Sequence, residues 1–234
     1  MLETSREDVV LEVDRHVEEL LASAGIHEPP VDAVKLAREQ LGISISVDRK
    51  QKGRGRAQRT HAGKHIYLRP EVSVERSQWT VAHEIGEHLR GRLLAALGAE
   101  ERHSMSGESL ASLFACRLLV PTCWFMADAR THAHDVLELK KRYTTASHEV
   151  LAWRLLDLPD PCVITIVDNE HVSRRRSNAW PVTRRLAQPE RDCLEYVHAF
   201  SRPRRIQAEG WTVHGWPVHQ ADWRREILRS VWEE

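Results

Sequence analysis

The first third of the chain alternates between amphipathic helices and short strands. Apolar residues recur at helical spacing along 2–24, and the pattern repeats more briefly along 33–41, each followed by a glycine that suits a helix end. Residues 43–47 alternate between apolar and serine side chains, and 64–68 has the composition of a second strand. The basic, glycine-containing stretch 49–59 is interpreted as a solvated turn. This order predicts an α+β fold with a small antiparallel sheet.

Helical spacing dominates the middle of the chain. One helix is centred on 79–90, and another is predicted along 107–121, where Pro121 ends it. Two short helices within 136–156 are joined by a Thr-Thr-Ala-Ser turn and resemble a helix-turn-helix. Because two packed helices are far commoner than a DNA-reading pair, we expect no direct nucleic-acid binding from them.

A break rich in proline at 158–161 separates a mostly helical core domain, 1–158, from a C-terminal region, 162–234. The elements predicted beyond the break are a strand at 163–167, its hairpin partner at 171–176, a helix at 189–200, a strand at 211–218 and a helix at 222–232. The C-terminal region is therefore expected to be a small mixed α/β unit.

The composition is ordinary for a globular protein. Of the 234 residues 41% are hydrophobic and 29% charged, and the formal net charge is zero, so nothing attracts the whole chain to nucleic acid or membranes. The N-terminus lacks a signal-peptide core, and no apolar run reaches the roughly 18 residues of a membrane span. Four cysteines without a C-x-x-C pair indicate buried free thiols. We therefore expect a cytoplasmic protein with no membrane association.

The main candidate for chemistry is the sequence WTVAHEIGEHLR at 79–90. In zinc hydrolases the motif H-E-x-x-H places two histidines one turn apart on a helix, and the glutamate between them acts as general base. Here the residue four positions after His83 is Glu87, and the histidine follows at His88. His88 lies about 140° from His83 around a regular helix, so both cannot bind one metal there.

Three arrangements of this motif are open. Glu87 replaces the second histidine as a ligand, a π-bulge turns His88 toward the metal, or the site is degenerate and binds no metal. Glu84 and His88 are also four residues apart, which allows an acid–base pair without a metal. Glu108 opens the next helix, where an acid either favours the helix dipole or supplies a third ligand from an antiparallel neighbour.

Several short motifs follow one another in a specific order. They are PPVD at 29–32, LGI at 41–43, TVAHEIG at 80–86, and Glu108, Ala111, Phe114, Ala115, Leu118, Leu119 and Pro121. Together they resemble the ImmA/IrrE family of zinc metallo-endopeptidases over roughly 10–158. The resemblance implies a metalloprotease-like core, whereas 162–234 shows no such likeness.

The resemblance implies that Zn²⁺ is bound by His83 and Glu108, with Glu84 as general base. The family usually has histidine where Glu87 stands, so Glu87 becomes the second ligand and His88 its alternative. The implied substrate is a helix-turn-helix transcriptional repressor in a stress or phage-type regulatory circuit. One histidine with two carboxylates makes a weaker zinc site and a poorer Lewis acid than two histidines with one. The alternative function is therefore an inactive pseudopeptidase that acts as a binding or sensor module for a regulator.

Overall fold

The computed structural model describes most of the chain, namely residues 5–61, 63–71, 73–98 and 107–232, with the side chains of 107 and 108 outside the described residues. The chain divides into two compact units, each formed from two segments: Met1–Thr131 with Lys141–Ser147, and His132–Lys140 with His148–Glu234. The boundary placed at 158–162 from the sequence stays a prediction.

In the part of the first unit that the structure describes, the chain forms five helices and a small sheet. Its elements are α1 (Arg6–Ser23), α2 (Ala33–Glu39), β1 (Ser44–Val47), β2 (Gly55–Thr60), β3 (Gly63–Leu68), α3 (Val74–Ala96), α4 (Gly107–Leu119) and α5 (Thr122–Thr131). The α+β class is confirmed. The sheet order is β1-β3-β2, with β1 parallel and β2 antiparallel to β3, so this sheet is mixed. After β1 the chain turns and forms β2 at the far edge of the sheet. A hairpin then leads from β2 back into β3, which lies between the other two strands and runs parallel to β1.

Polar side chains attach α2 to α3. Asp32 caps α2 by accepting a hydrogen bond from the Lys35 N–H at 3.0 Å. The buried Gln78 of α3 donates to the Asp32 carboxylate at 2.8 Å and accepts from the Ala33 N–H at 2.7 Å. This arrangement satisfies a buried backbone donor at the helix start and explains why a capping aspartate sits after the paired prolines.

Small residues let α3 and α4 approach closely. A Cβ atom at Gly86 would stand 3.0 Å from the Ala111 Cα and 3.2 Å from its carbonyl oxygen. A side chain at position 86 would therefore push the two helices apart. The contact lies one turn from His83 on α3, so it also sets how near α4 comes to the H-E motif.

The second unit contains an antiparallel sheet with helices packed on it. Its elements are most of α6 (Val136–Arg142), α7 (His148–Arg154), a 3-10 turn (Leu155–Asp157), β4 (Val163–Asp168), β5 (His171–Ser177), α8 (Gln188–Phe200), β6 (Arg204–Ala208), β7 (Trp211–Gln220) and β8 (Trp223–Trp232). The five strands are ordered β5-β4-β8-β7-β6, and every neighbouring pair is antiparallel. The predicted α6–α7 pair is present, and α7 buries Val150 and Leu151.

The helix predicted at 222–232 is wrong, because this stretch forms β8 between β4 and β7. Ile227, Leu228 and Val231 imitate the spacing of a helical face. In the structure Glu226, Ile227 and Leu228 are consecutive and fully buried, since both faces of a central strand are covered. Local pattern alone could not separate these alternatives.

The cysteines and the apolar helices are both subjects of expectations from composition. None of the four cysteines forms a disulfide; Cys162 and Cys193 are buried as expected, but Cys123 is exposed. None of the described helices is by itself long and apolar enough to cross a membrane, while Ser109–Leu119 and Thr122–Thr131 pass that test only together and are bent by 58°.

Candidate metal centre

The helix that carries the H-E motif is regular. It begins after the cap Ser73 and remains α-helical along Val74–Ala96, so it contains no π-bulge that would swing His88 toward His83. A regular helix places His83 and Glu87 one turn apart on one face. Both side chains are partly exposed, as a site open to substrate requires.

His88 is engaged elsewhere in the structure. Its Nε2 lies 3.3 Å from the His65 carbonyl oxygen on β3, and Arg59 on β2 donates to the His88 carbonyl oxygen at 3.1 Å. A carbonyl only accepts, so Nε2 carries the proton in this contact. Burial lowers the pKa of His88, which favours the neutral ring. The observed role of His88 is thus to attach α3 to the sheet.

His83 lies beside the neighbouring helix α4. Its Nδ1 is 3.4 Å from the Ser112 hydroxyl oxygen, a long hydrogen bond. Contact at Nδ1 is the arrangement in which a histidine offers Nε2 to a metal. Sequence analysis missed Ser112, although its spacing of four residues from Glu108 places both positions on one side of α4.

Glu84 is buried beneath the edge strand β2. The side chain is 7% exposed. A Cβ atom at Gly55 would stand 2.4 Å from the Thr80 Cγ2 and 2.7 Å from the Glu84 Oε1. Only glycine lets the backbone come this close. The interpretation of 49–59 as a solvated turn is therefore wrong for its second half, and a glycine at a strand start was the signal for a close approach.

Glu108 opens α4, but its side chain lies outside the described residues. Its backbone position is one helical turn before Ser112, the residue that contacts His83. This placement agrees with a ligand from the second helix, and its role stays a prediction.

These ligand types suit a divalent metal that accepts mostly oxygen ligands. A regular helix presents the His83 imidazole and the Glu87 carboxylate on one face, and α4 passes beside them. Such a set is harder and more anionic than a pair of histidines with one carboxylate, so it holds zinc less selectively. The types of these side chains and their place on one face of α3 are compatible with a metal, and Glu87 as the second ligand stays a prediction.

The fold and this helix define a domain of the metallopeptidase type, and comparison with known families identifies which one. The model of the IrrE N-terminal-like domain, Peptidase M78, matches residues 38–156, which include every candidate ligand. The chain belongs to this family. Metal dependence is typical of its members.

Comparison with solved structures extends the likeness beyond that domain. A Mycobacterium tuberculosis transcriptional regulator shares 17% sequence identity with this chain at a TM-score of 0.69. The match covers 95% of this chain and 76% of that chain, so the common fold includes the C-terminal region. A comparison with curated proteins finds no significant match.

Proposed function

We propose that this protein is a cytoplasmic zinc-dependent endopeptidase of the ImmA/IrrE type. Its substrate is a helix-turn-helix transcriptional repressor of a stress or phage-type circuit. The proposal rests on one observation above all: Glu84 lies buried next to His83 on an unbroken helix, directly beneath an edge strand, in a chain of this family.

In this proposal His83, Glu87 and Glu108 hold the metal, which supplies a Lewis acid and lowers the pKa of bound water. Glu84 accepts the proton of the attacking water and passes it to the leaving amine. Ser112 orients the His83 ring through Nδ1. These roles use residues from both α3 and α4, which the Gly86 contact brings together.

The edge strand β2 provides a place for an extended substrate. Within the described residues β2 pairs only with β3, so its other edge can form backbone hydrogen bonds with a peptide. The strand begins at Gly55, against Glu84. A peptide added along this edge would therefore run past the catalytic glutamate, which supports cleavage of an unfolded or extended segment.

The second candidate function is that of a binding module without cleavage. The observation that favours it is Glu87 at the position one turn after His83, together with the engagement of His88 by β3. Two carboxylates reduce the positive charge felt by a bound water, so its pKa falls less. In this alternative the same surface holds a regulator without cutting it.

The deciding experiment measures cleavage of a purified helix-turn-helix repressor from the same genome, by gel, with zinc supplied. Glu84→Gln is expected to reduce cleavage by about 10²–10⁴-fold while zinc content and circular dichroism stay unchanged, because general-base catalysis contributes that much. Binding of the repressor without cleavage by the unaltered protein would support the binding module.

A matched pair of substitutions tests Glu87 as a ligand. Glu87→His completes H-E-x-x-H and is expected to raise zinc affinity, whereas Glu87→Gln removes the charge without adding a nitrogen ligand and is expected to lower it. Zinc affinity is measured by competition with a chelator. Equal affinities in both variants and the unaltered protein would exclude Glu87 from the metal site.

A further inference from the structure

A second group of ligand-type side chains lies in the C-terminal unit, far along the sequence from the H-E motif. His198 comes from α8, His219 from β7 and Glu226 from the central strand β8. The His198 Nδ1 lies 2.8 Å, and the His219 Nε2 2.7 Å, from the same oxygen, Oε1 of Glu226. One ligand atom of each residue lies within 4.8 Å of the other two.

Polar groups also hold both rings from their outer sides. The His198 Nε2 lies 3.1 Å from the Glu170 Oε1, with the Arg224 Nη1 at 3.5 Å, and the His219 Nδ1 lies 3.0 Å from the Ser201 Oγ. Histidines that bind metals commonly donate the second ring N–H to a carboxylate or another acceptor, which fixes the ring orientation. Glu170 and Ser201 are placed to accept these hydrogen bonds.

Hydrogen bonds to the two histidines do not satisfy the buried carboxylate completely. Glu226 is fully buried, and its second oxygen, Oε2, has no hydrogen-bond partner among the described residues. A buried charged oxygen without a partner is costly and calls for an explanation. A cation bound by the carboxylate and the two imidazoles would compensate for this cost.

We propose that His198, His219 and Glu226 form a second metal site, specific for Zn²⁺ or a similar late first-row cation. Two imidazoles and one carboxylate are preferred by such cations over Mg²⁺ or Ca²⁺. Ligand atoms at about 2.0–2.1 Å from a tetrahedral ion lie roughly 3.3 Å from one another, so each ring nitrogen would move away from the Glu226 Oε1 by about half an ångström on binding. The site joins α8 to β7 and β8, and its occupation stabilises this unit.

The test is a zinc titration by calorimetry in the full chain carrying His83→Ala, which removes the proposed first centre. This background is expected to bind about one Zn²⁺ per chain and to melt at a higher temperature with zinc, because the ion binds only the folded state. Adding His219→Gln is expected to abolish both effects. Adding His171→Gln instead, an exposed histidine of the same unit, is expected to change neither.

Each outcome decides the proposal. Absence of zinc binding in His83→Ala, or equal binding after His219→Gln, overturns the site and leaves the cluster as a hydrogen-bonded network. His198→Gln is tested beside His219→Gln, with circular dichroism, so that loss of zinc is separated from loss of fold. The two proposed metal sites are tested independently. If the first centre binds no zinc, the zinc titration of the His83→Ala protein keeps the same expected result, because that protein already lacks the first centre.

Discussion

The contact of β2 with α3 at Gly55 allows a quantitative prediction for Gly55→Ala. The added methyl carbon would stand 2.4 Å from the Thr80 Cγ2 and 2.7 Å from the Glu84 Oε1. Since carbon atoms pack best at about 3.5–4.0 Å, Thr80 or the strand must yield by about 1 Å. Thr80 is buried, so another rotamer of its branched side chain finds little free space.

The expected size of the effect follows from overpacking. Forcing an extra carbon into a filled space typically destabilises by about 1–3 kcal/mol. For a protein of this size each kcal/mol lowers the melting temperature by about 2–4 °C, so Gly55→Ala is expected to melt roughly 2–12 °C lower. If Glu84 moves with the strain, the proposed cleavage should fall on the order of 100-fold, since a misplacement of about 1 Å is that costly.

Scanning calorimetry measures the effect against two matched variants. Gly53→Ala adds the same methyl group where the nearest atom, the Gly55 carbonyl oxygen, is an ordinary 3.6 Å away, so this variant reports only the restriction of the unfolded chain. It is expected to be neutral or to stabilise by up to about 1 kcal/mol. Gly55→Ala with Thr80→Ser removes the methyl group at the shortest contact and is expected to recover part of the loss.

Two results would refute this reasoning. Equal melting temperatures for the alanine variants at positions 53 and 55 would show that β2 is not pressed against α3. A double variant with Thr80→Ser that shows only the sum of the two single effects would show that the Thr80 methyl group is not what the new carbon meets.

Two more predictions concern buried charge. Burial holds the pKa of His88 below its ordinary value of 6.5, so the unfolded chain binds more protons and stability falls as the pH drops through that value. His88→Gln should flatten the pH dependence of urea unfolding below pH 6.5; an unchanged slope contradicts this. Glu190→Gln, which breaks the buried pair with Arg175, should cost about 3–5 kcal/mol in urea unfolding, and a loss below about 1 kcal/mol would contradict it.

Spacing along one helix determined much of the candidate metal centre in advance. Five residues separate His83 from His88, and a regular helix turns those positions apart whatever surrounds them. The same local geometry pairs His83 with Glu87. Whether α3 stays regular at that point depends on packing. In the structure His88, which stands one position later than the second histidine of H-E-x-x-H, contacts β3.

Burial of Glu84 required tertiary information. The sequence around Gly55 is basic and polar and has the pattern of a solvated turn, yet half of it forms a strand that covers the glutamate. Gly55 in the sequence indicates only that some group approaches the backbone there. The sequence does not identify that group, because it belongs to α3, about 25 residues further along the chain.

The amino-acid pattern determined α1 to α4 of the first unit, the α+β class and the residues of the H-E motif, because caps and apolar spacing act within a few turns of chain. It did not predict α5 (Thr122–Thr131). Pairing between distant strands decided the rest. Glu226 became part of a central strand because β4 and β7 flank it on both sides. That register and the packing of α8 bring together two histidines and a glutamate that appear unrelated along the chain, since side-chain proximity across a sheet depends on long-range contacts.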